Sequence, residues 1–323
     1  MSTAAEPVIE ARELSKWFKE VVAINNLDVT IGRGVTGLLG PNGAGKSTFI
    51  KVALGLYEPS RGTMCVFGES PRNNLDVLRR IGYCPEIDKF FDNTTGYEFV
   101  YWLNRYAGMD AAAASKTAED MCELVHMAGR MDDPIETYSR GMRQRIKIAQ
   151  ALARQPELLF LDEPMAGLDP EGREEMFALI RTLGEAGKAV VVSSHILYEI
   201  ERVTNKVVLL HNGQLLARGE VREIRELIDE HPHAVTIECA EPRRLADQFV
   251  GDEATLSMEF GDGTDGAGAT AVTIRTSDPN AFYQKLNDIV LDGAGGMAGE
   301  AIGVKSIRCP DDNLQSVFDY LVS

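Results

Sequence analysis

The segment LLGPNGAGKST, residues 38–48, constrains the fold of this chain more than any other. It matches the pattern G-x-x-x-x-G-K-[ST] and lies between the apolar run VTGLL and the helix-favouring run STFIKVALGL. In that context glycines let backbone N–H groups turn toward an anion, and the following helix adds about half a positive charge. The lysine supplies a full charge, and the serine hydroxyl can ligate Mg²⁺. The segment therefore predicts a phosphate-binding loop formed by Gly40, Pro41, Asn42, Gly43, Ala44, Gly45, Lys46, Ser47 and Thr48.

Four short apolar runs predict the buried strands of a mostly parallel sheet. They alternate with longer amphipathic segments, which is typical of an α/β domain. Residues 87–137 contain no such run and predict a helical insert. The four runs are VTGLLG (35–40), LLFLDEP (158–164), AVVVSSH (189–195) and KVVLLHNG (206–213).

A second, smaller domain is expected after about residue 228. The pattern there changes to the order strand, helix, strand, strand, helix, strand, which predicts a small α+β domain over residues 229–323. An amphipathic helix over residues 311–323 is expected to close it. The domain with the phosphate-binding loop then spans residues 1–228.

Composition excludes several classes of protein. A net charge of −16 over 323 residues argues against a protein that coats nucleic acid, which would be basic. No apolar run approaches the roughly 18 residues needed to cross a bilayer. The N-terminus has no basic region followed by an apolar one, so no secretion signal is expected. Five scattered cysteines fit a reducing cytoplasm.

Three polar residues follow predicted strands, at the sheet edge where α/β proteins gather their ligands. In LLFLDEP, Asp162 is suited to holding Mg²⁺ and Glu163 to accepting a proton from an attacking water. His195, at the end of AVVVSSH, could contact a terminal phosphate or the water. Exposed strand ends also carry charges for no special reason, but the phosphate-binding loop favours the functional interpretation.

The segment YSRGM, residues 138–142, predicts a second anion site. Ser139 can cap the helix that follows, and the N–H groups of the next three residues, Gly141 among them, could face an anion. A plain capped helix is the alternative. If a second subunit supplied this helix end, one triphosphate would be held from both sides, and its γ-phosphate would control association.

These motifs together resemble the ATP-binding subunits of ABC transporters. The loop GPNGAGKST, then YSRGM, LLFLDEP, AGLD and His195, occur in that family's order over about residues 8–220. The resemblance implies a P-loop NTPase fold of ABC type, with an antiparallel N-terminal β part beside the parallel core sheet and the helical insert. It also implies ATP and Mg²⁺ as cofactors, with each ATP held between the phosphate loop of one subunit and the signature motif, YSRGM, of the other.

The resemblance gives roles to further residues. Ser139 and Gly141 would contact the γ-phosphate bound by the partner, and Asp169 in AGLDP would contact the partner across the interface. Phe18 stands where the family stacks an aromatic ring on adenine, with the adjacent Trp17 as a competitor. Stacking of this kind contributes on the order of 1 kcal/mol.

Two departures from the common family pattern concern the active site. Glu86, in IGYCPE, replaces the usual glutamine. A carboxylate there can ligate Mg²⁺ or orient water, but it cannot donate a hydrogen bond unless protonated. Arg140 and Met142 replace a glycine and a glutamine of the signature motif. Both variants, and the C-terminal α+β domain, resemble the bacterial exporter branch whose ATPase and membrane subunits are separate chains.

The expected function is that of an ATPase that dimerises around two Mg-ATP molecules and drives a separate membrane permease in an exporter. Its partners would be a second copy or a paralogous ATPase subunit and the permease, at the inner face of the cell membrane, with no direct nucleic-acid contact. Two alternatives stay open. A soluble ABC-type ATPase acting on ribosomes or DNA is disfavoured by the single cassette and the acidity, and an importer ATPase by Glu86 and the tail.

Overall fold

A computed structural model of the chain describes residues 7–91, 93–220, 233–262, 269–292 and 302–308. The chain divides into two compact units, Met1–Val221 and Arg222–Ser323. The predicted domain boundary between residues 228 and 229 lies outside the described residues.

The first unit combines two sheets with helices, in an order that follows the chain. Its strands are β1 (Ile9–Phe18), β2 (Val21–Ile31), β3 (Gly34–Leu39), β4 (Arg61–Val66), β5 (Ile81–Cys84), β6 (Leu158–Asp162), β7 (Ala189–Ser194), β8 (Lys206–His211) and β9 (Gln214–Glu220). Its helices are α1 (Lys46–Ala53), α2 (Leu75–Leu78), α3 (Gly96–Tyr106), α4 (Ala111–Leu124), α5 (Arg140–Leu152), α6 (Pro170–Glu185) and α7 (Leu197–Glu201).

The core sheet has six strands in the order β5-β6-β7-β3-β8-β9. The first five strands run parallel and β9 runs antiparallel to β8. Every residue of β6 and β7 is buried, as expected for a parallel sheet covered on both faces. The predicted, mostly parallel core sheet is therefore confirmed.

The register of this sheet brings the predicted site residues to one edge. Leu39 at the end of β3 pairs with Ser194 of β7, and Ser193 pairs with Asp162 at the end of β6. The phosphate-binding loop, Glu163 and His195 each follow directly after one of these three strands. The carboxyl edge of the sheet thus collects groups that are more than 100 residues apart in the chain.

A smaller antiparallel sheet, in the order β2-β1-β4, supports the phosphate-binding loop from the side. The N–H of Asn25 in β2 donates to the carbonyl of Gly213, at 2.8 Å. The N–H of Gly213 in turn donates to the carbonyl of Ala44, at 3.1 Å. This sheet is the antiparallel N-terminal β part that the family resemblance implied.

The helical insert consists mainly of α3 and α4. Thr95 and Glu98 form a reciprocal capping box at the start of α3, and Asp110 accepts a hydrogen bond from Ala113 N–H at the start of α4. A 3₁₀ turn follows at Ile135–Thr137. Both main helices of the insert therefore begin at residues whose side chains cap them.

Helix α5 leads from the insert back to the core sheet. Most of the residues on its buried face are apolar, but Gln144 and Lys147 also lie there and are 4% exposed. A buried lysine requires acceptors for its charge, and those acceptors lie on another segment.

The second unit has the predicted βαββαβ order within its described residues. Its elements are β10 (His233–Cys239), α8 (Pro242–Asp247), β11 (Thr255–Asp262), β12 (Ala269–Thr276), α9 (Pro279–Asp292) and β13 (Val304–Arg308). The four strands form an antiparallel sheet in the order β11-β12-β10-β13. Phe249 and Phe282 stack at 4.8 Å in its core, which also contains Val235, Ile237, Leu245, Val272 and Ile274. The helix predicted at residues 311–323 lies outside the described residues.

Candidate active site

The phosphate-binding loop connects β3 to α1. Gly43 and Gly45 have φ angles of 84° and 103°, in the left-handed region that favours glycine. A Cβ on Gly45 would lie 2.6 Å from the carbonyl oxygen of Ala23. Ala44 between them is buried, whereas Asn42 and Gly43 are exposed. The loop therefore presents backbone to solvent and is backed by β2.

Lys46 is the first residue of α1 and its side chain is buried. Its ammonium donates to the carbonyls of Gly40 at 2.6 Å and Pro41 at 3.3 Å, and lies 3.6 Å from Oε1 of Glu163. An ammonium has three N–H donors. Here they are directed at the loop's own oxygens and at a carboxylate, and phosphate oxygens would compete for the same donors.

Asp162 is 2% exposed at the end of β6 and is held by two hydroxyl groups. Ser193 Oγ donates to Asp162 Oδ1 at 2.5 Å, and Ser47 Oγ lies 3.4 Å from the same oxygen. The hydroxyl of Ser193 also accepts the backbone N–H of Glu163 at 3.0 Å. Ser193 thus orients both carboxylate residues. Sequence reasoning missed it, although it stands two residues before His195.

Glu163 is the residue at which the contacts of the site converge. Its φ of 50° is unusual for a residue other than glycine. His195 Nδ1 lies 3.1 and 3.2 Å from its two carboxylate oxygens. Burial raises the pKa of the Glu163 carboxyl above its usual range, against the hydrogen bond from His195 and the charge of Lys46, which both lower it. A carboxylate of this kind, next to a phosphate-binding loop, is suited to general-base chemistry.

The donor set around Asp162 fits Mg²⁺ in chemical type. The carboxylate of Asp162 and the hydroxyl of Ser47 are oxygen ligands, and they already lie within 3.4 Å of each other. Within the described ranges no group of three or more His, Cys, Asp and Glu residues could hold a metal ion by itself. Mg²⁺ characteristically takes one or two protein ligands and completes its shell with substrate phosphates and water.

The structure places Ser139 and Gly141 at the exposed N-terminus of α5. Ser139 Oγ accepts the N–H of Met142 at 3.3 Å, so the hydroxyl caps the helix. In the part of the chain that the structure describes, Ser139 makes no hydrogen bond to the phosphate-binding loop. Gly141 leaves its surroundings open, because an added Cβ would meet nothing closer than Leu168 Cδ2 at 3.4 Å.

Asp169 and Arg140 lie beside this helix end. Asp169 accepts the N–H of Gly172 at 3.0 Å and so caps α6, a role that the family resemblance did not supply. The Arg140 side chain covers Gly167, where a Cβ would lie 2.2 Å from Arg140 Cδ. The signature segment and the AGLD segment are therefore in direct contact within one chain.

Glu86 lies two residues after the end of β5 and is exposed. Its carboxylate makes no hydrogen bond or ion pair with the described residues. Its backbone carbonyl, however, accepts a hydrogen bond from Lys147 Nζ at 3.1 Å. The segment is fixed by its backbone while the carboxylate remains available.

Phe18 and Trp17 remain competitors for the adenine. They end β1 with 39% and 40% of their surfaces exposed. Phe18 packs edge-on against Tyr57 at 5.1 Å, with the ammonium of Lys16 5.1 Å from its ring centroid. The backbone N–H of Trp17 donates to Ser60 Oγ at 3.1 Å.

The fold and this site define a P-loop ATPase of the ABC class, and comparison with known proteins identifies the family. The family model described as "ABC transporter" matches residues 24–166. The chain is 36% identical to an uncharacterized ABC transporter ATP-binding protein of Synechocystis, over 78% of this chain and 72% of that protein. The chain belongs to the ATP-binding proteins of ABC transporters and is the ATP-binding, ATP-hydrolysing subunit of such a transporter.

Two further relatives match most of the chain. The daunorubicin/doxorubicin resistance ATP-binding protein DrrA of Streptomyces peucetius is 32% identical over 89% of this chain and 83% of its own. The Nod factor export ATP-binding protein I of Burkholderia lata is 32% identical over 86% of this chain and 89% of its own.

Solved structures agree in fold. The structure of an ATP-binding subunit of an ABC transporter is 28% identical and aligns with a TM-score of 0.62, over 68% of this chain and 93% of that one. Over the described residues, no helix is both long and apolar enough to span a membrane.

Proposed function

We propose that two copies of this chain, or one copy and a paralogous subunit, close around two Mg-ATP molecules and drive a separate membrane permease in the direction of export. The main support for the proposal is that the phosphate-binding loop and the helix end at Ser139, the second candidate anion site, are not joined within the described part of one chain. At the phosphate-binding loop, Glu163 contacts both Lys46 and His195. The helix end at Ser139 is exposed and makes no hydrogen bond to that loop among the described residues.

In the proposed reaction Glu163 accepts the proton of the attacking water. Its carboxylate is buried, lies 3.1 Å from His195 Nδ1 and is 3.6 Å from the ammonium of Lys46, so its position is fixed by contacts within this chain. Lys46 exchanges the carbonyls of Gly40 and Pro41 for phosphate oxygens. A bound Mg²⁺, held by Ser47 and Asp162, would supply positive charge to the phosphate oxygens.

The proposed partner subunit completes the site. Ser139 Oγ and the N–H groups at the start of α5 would contact the γ-phosphate that the other subunit holds, and Asp169 would contact that subunit. The ATP-loaded pair is then more stable than the ADP-loaded pair, because only ATP bridges both chains. Hydrolysis therefore releases the dimer.

The permease is proposed to dock where the segment after β5 meets the insert. A groove of about 340 Å³ lies there, lined by Asp88, Phe90, Phe91, Ile135, Glu136 and Arg143. Ile87 and Phe91 are 67% and 47% exposed, although both are large and apolar. Apolar surface next to Glu86 fits a protein partner whose movement reaches the nucleotide.

The names of two relatives support the proposed direction of transport. These relatives carry names of resistance and export proteins, and they match most of this chain. With the motif variants at Glu86 and Arg140, these names support an exporter. The ATPase subunit would work in the cytoplasm, on the inner face of the cell membrane.

A trapped dimer tests the proposal. Purified Glu163→Gln is mixed with saturating Mg-ATP and its mass is measured by light scattering. We expect the mass of two chains with Mg-ATP and of one chain with ADP or with EDTA. A strictly monomeric Glu163→Gln protein in Mg-ATP would overturn the shared-site mechanism.

Co-purification from membranes tests the partner. An integral membrane protein bound to the tagged chain supports the permease assignment. Ribosomes or DNA in place of a membrane protein would support the alternative of a soluble ABC-type ATPase.

A further inference from the structure

Lys147 is a buried, charged residue that the mechanism above does not use. It lies on α5, eight residues after Ser139, and only 4% of its surface is exposed. Its ammonium donates to the carbonyls of Pro85 at 2.9 Å and Glu86 at 3.1 Å, and lies 2.8 Å from Asp88 Oδ1. The three N–H donors of the ammonium therefore meet three acceptors, all from the segment that follows β5.

Burying the Lys147 ammonium costs free energy unless all three of its acceptors are present. A buried ammonium without acceptors is strongly unfavourable. The ion pair with Asp88, whose side chain is 35% exposed, contributes little net stability by itself. An apolar residue at this position would leave the carbonyls of Pro85 and Glu86 without this donor. Lys147 therefore fixes the position of residues 85–88 relative to helix α5.

The neighbouring contacts on α5 point to the same segment. Gln144, one turn before Lys147, lies 3.5 Å from Cys84 Sγ at the end of β5. Arg143 lines the groove that Asp88, Phe90 and Phe91 also form. One face of α5 thus holds the end of β5 and the first residues after it.

We propose that Lys147 is a positioning residue for ATP hydrolysis, which fixes Glu86 by binding the backbone of residues 85–86 and the carboxylate of Asp88 to helix α5. Because α5 is a hydrogen-bonded helix that begins next to Ser139, the loop and the signature segment keep one relative position. This inference rests on the proposed function, because it requires the Glu86 carboxylate to take part in ATP hydrolysis.

A double-mutant cycle between Lys147 and Glu86 tests this. Lys147→Met keeps the length of the side chain and removes its donors. We expect kcat for Mg-ATP to fall about 10-fold, with KM within about threefold of the wild type, because the phosphate-binding loop is untouched. We expect the double variant Lys147→Met, Glu86→Ala to be no slower than the slower single variant, because both changes remove the same contribution.

The matched control is Lys116→Met. Lys116 pairs with Asp120 at 3.3 Å within α4, and 76% of its side chain is exposed, so this variant removes a lysine–aspartate pair that does not involve residues 85–88. Its kcat should equal that of the wild type, and its effect should multiply with that of Glu86→Ala. Thermal unfolding of each variant reports any global loss of stability.

Three results would overturn the proposal. The first is a kcat of Lys147→Met within about twofold of the wild type. The second is a double variant in which the two reductions of kcat multiply, and the third is a slow Lys147→Met while Glu86→Ala keeps a normal kcat. If Lys147→Met does not fold, Asp88→Asn replaces it in the same cycle. A kcat at least about threefold lower and non-additive with Glu86→Ala then supports the proposal, and an unchanged or additive kcat overturns it.

A negative result in the Lys147–Glu86 cycle can be told apart from failure of the proposed function. A Glu163→Gln protein that hydrolyses ATP normally, or stays monomeric, would contradict the general-base or shared-site assignment. The cycle between Lys147 and Glu86 would be unaffected by either result, because neither of its variants changes Glu163 or Ser139.

Discussion

The Nδ1 atom of His195 lies 3.1 Å from a carboxylate oxygen of Glu163. The other oxygen of this carboxylate lies 3.6 Å from the ammonium of Lys46, so one buried group is held between the end of β7 and the phosphate-binding loop. The candidate general base, Glu163, is therefore in contact with both the candidate phosphate ligand, Lys46, and the candidate orienting group, His195.

Replacing Glu163 by glutamine should separate binding from hydrolysis. The amide keeps the shape of the side chain but does not accept a proton, so kcat should fall at least about 100-fold while Mg-ATP still binds. Phosphate release and an ATP titration measure the two quantities. Glu174→Gln, an exposed partner of Arg202, is the control and should keep normal turnover. Normal hydrolysis by Glu163→Gln would remove Glu163 from its assigned role.

The pH profile of the ATPase should carry the signature of Glu163. Only the ionised carboxylate accepts a proton, so kcat is full above its pKa and falls as the pH drops through it. Burial raises the pKa of Glu163, so the midpoint should lie above the value of about 4.3 for an ordinary glutamate. The residual rate of Glu163→Gln should lack this acidic limb. A wild-type midpoint at or below the ordinary value would contradict the assignment.

Replacing Lys46 by alanine should abolish tight ATP binding. Hydrogen bonds to charged groups contribute about 1.5–3 kcal/mol, so losing the ammonium should weaken ATP binding by about 10- to 100-fold or more. Calorimetric titration with Mg-ATP measures the change. Lys188→Ala, which removes a lysine that donates to the Pro156 carbonyl at 2.7 Å, should bind normally. Unchanged affinity of Lys46→Ala would contradict the phosphate-loop assignment.

Replacing Ser193 by alanine should weaken the binding of Mg²⁺ at the active site. Ser193 donates to Asp162 at 2.5 Å, and loss of such an outer partner typically weakens metal binding about 10- to 100-fold. The Mg²⁺ concentration for half-maximal ATPase activity should rise accordingly. Ser194→Ala is the matched control, because Ser194 is equally buried but donates to Glu199 at 2.7 Å. An equal Mg²⁺ effect in both variants would show that only general stability had changed.

Replacing Ser139 by alanine should weaken the ATP-dependent dimer. In the Glu163→Gln background we expect association in Mg-ATP to weaken at least about tenfold, since a hydrogen bond to a charged phosphate would be lost. Asp110→Ala removes a comparable helix cap, on α4, and should leave association unchanged. Equal association of the Ser139→Ala protein would assign the hydroxyl to capping alone.

Local patterns were enough to predict the phosphate-binding loop, the buried strands and the helical insert. The strand β3, the glycine loop and α1 follow one another within 20 residues, so their order in the sequence is also their order in space. The alternation of apolar runs with helices was similarly sufficient to predict the parallel sheet. Each of these features depends on backbone conformation and on hydrophobic periodicity, which neighbouring residues largely determine.

The contacts within the site depended on tertiary structure. The double role of Ser193 follows from its pairing with Asp162 across β7 and β6, and no local pattern specifies that register. The buried position of Lys147 and its three acceptors arises because α5 packs on the end of β5, about 60 residues earlier in the chain.

The sequence by itself determined that this chain has a phosphate-binding loop, an α/β core and the ordered motifs of an ABC ATPase, because those depend on short stretches of residues. Only the tertiary structure decided that Glu163 lies between Lys46 and His195, and that the segment containing Glu86 is tied to α5. Such contacts are set by strand register and helix packing, where groups distant in the chain must satisfy one another's charge away from water.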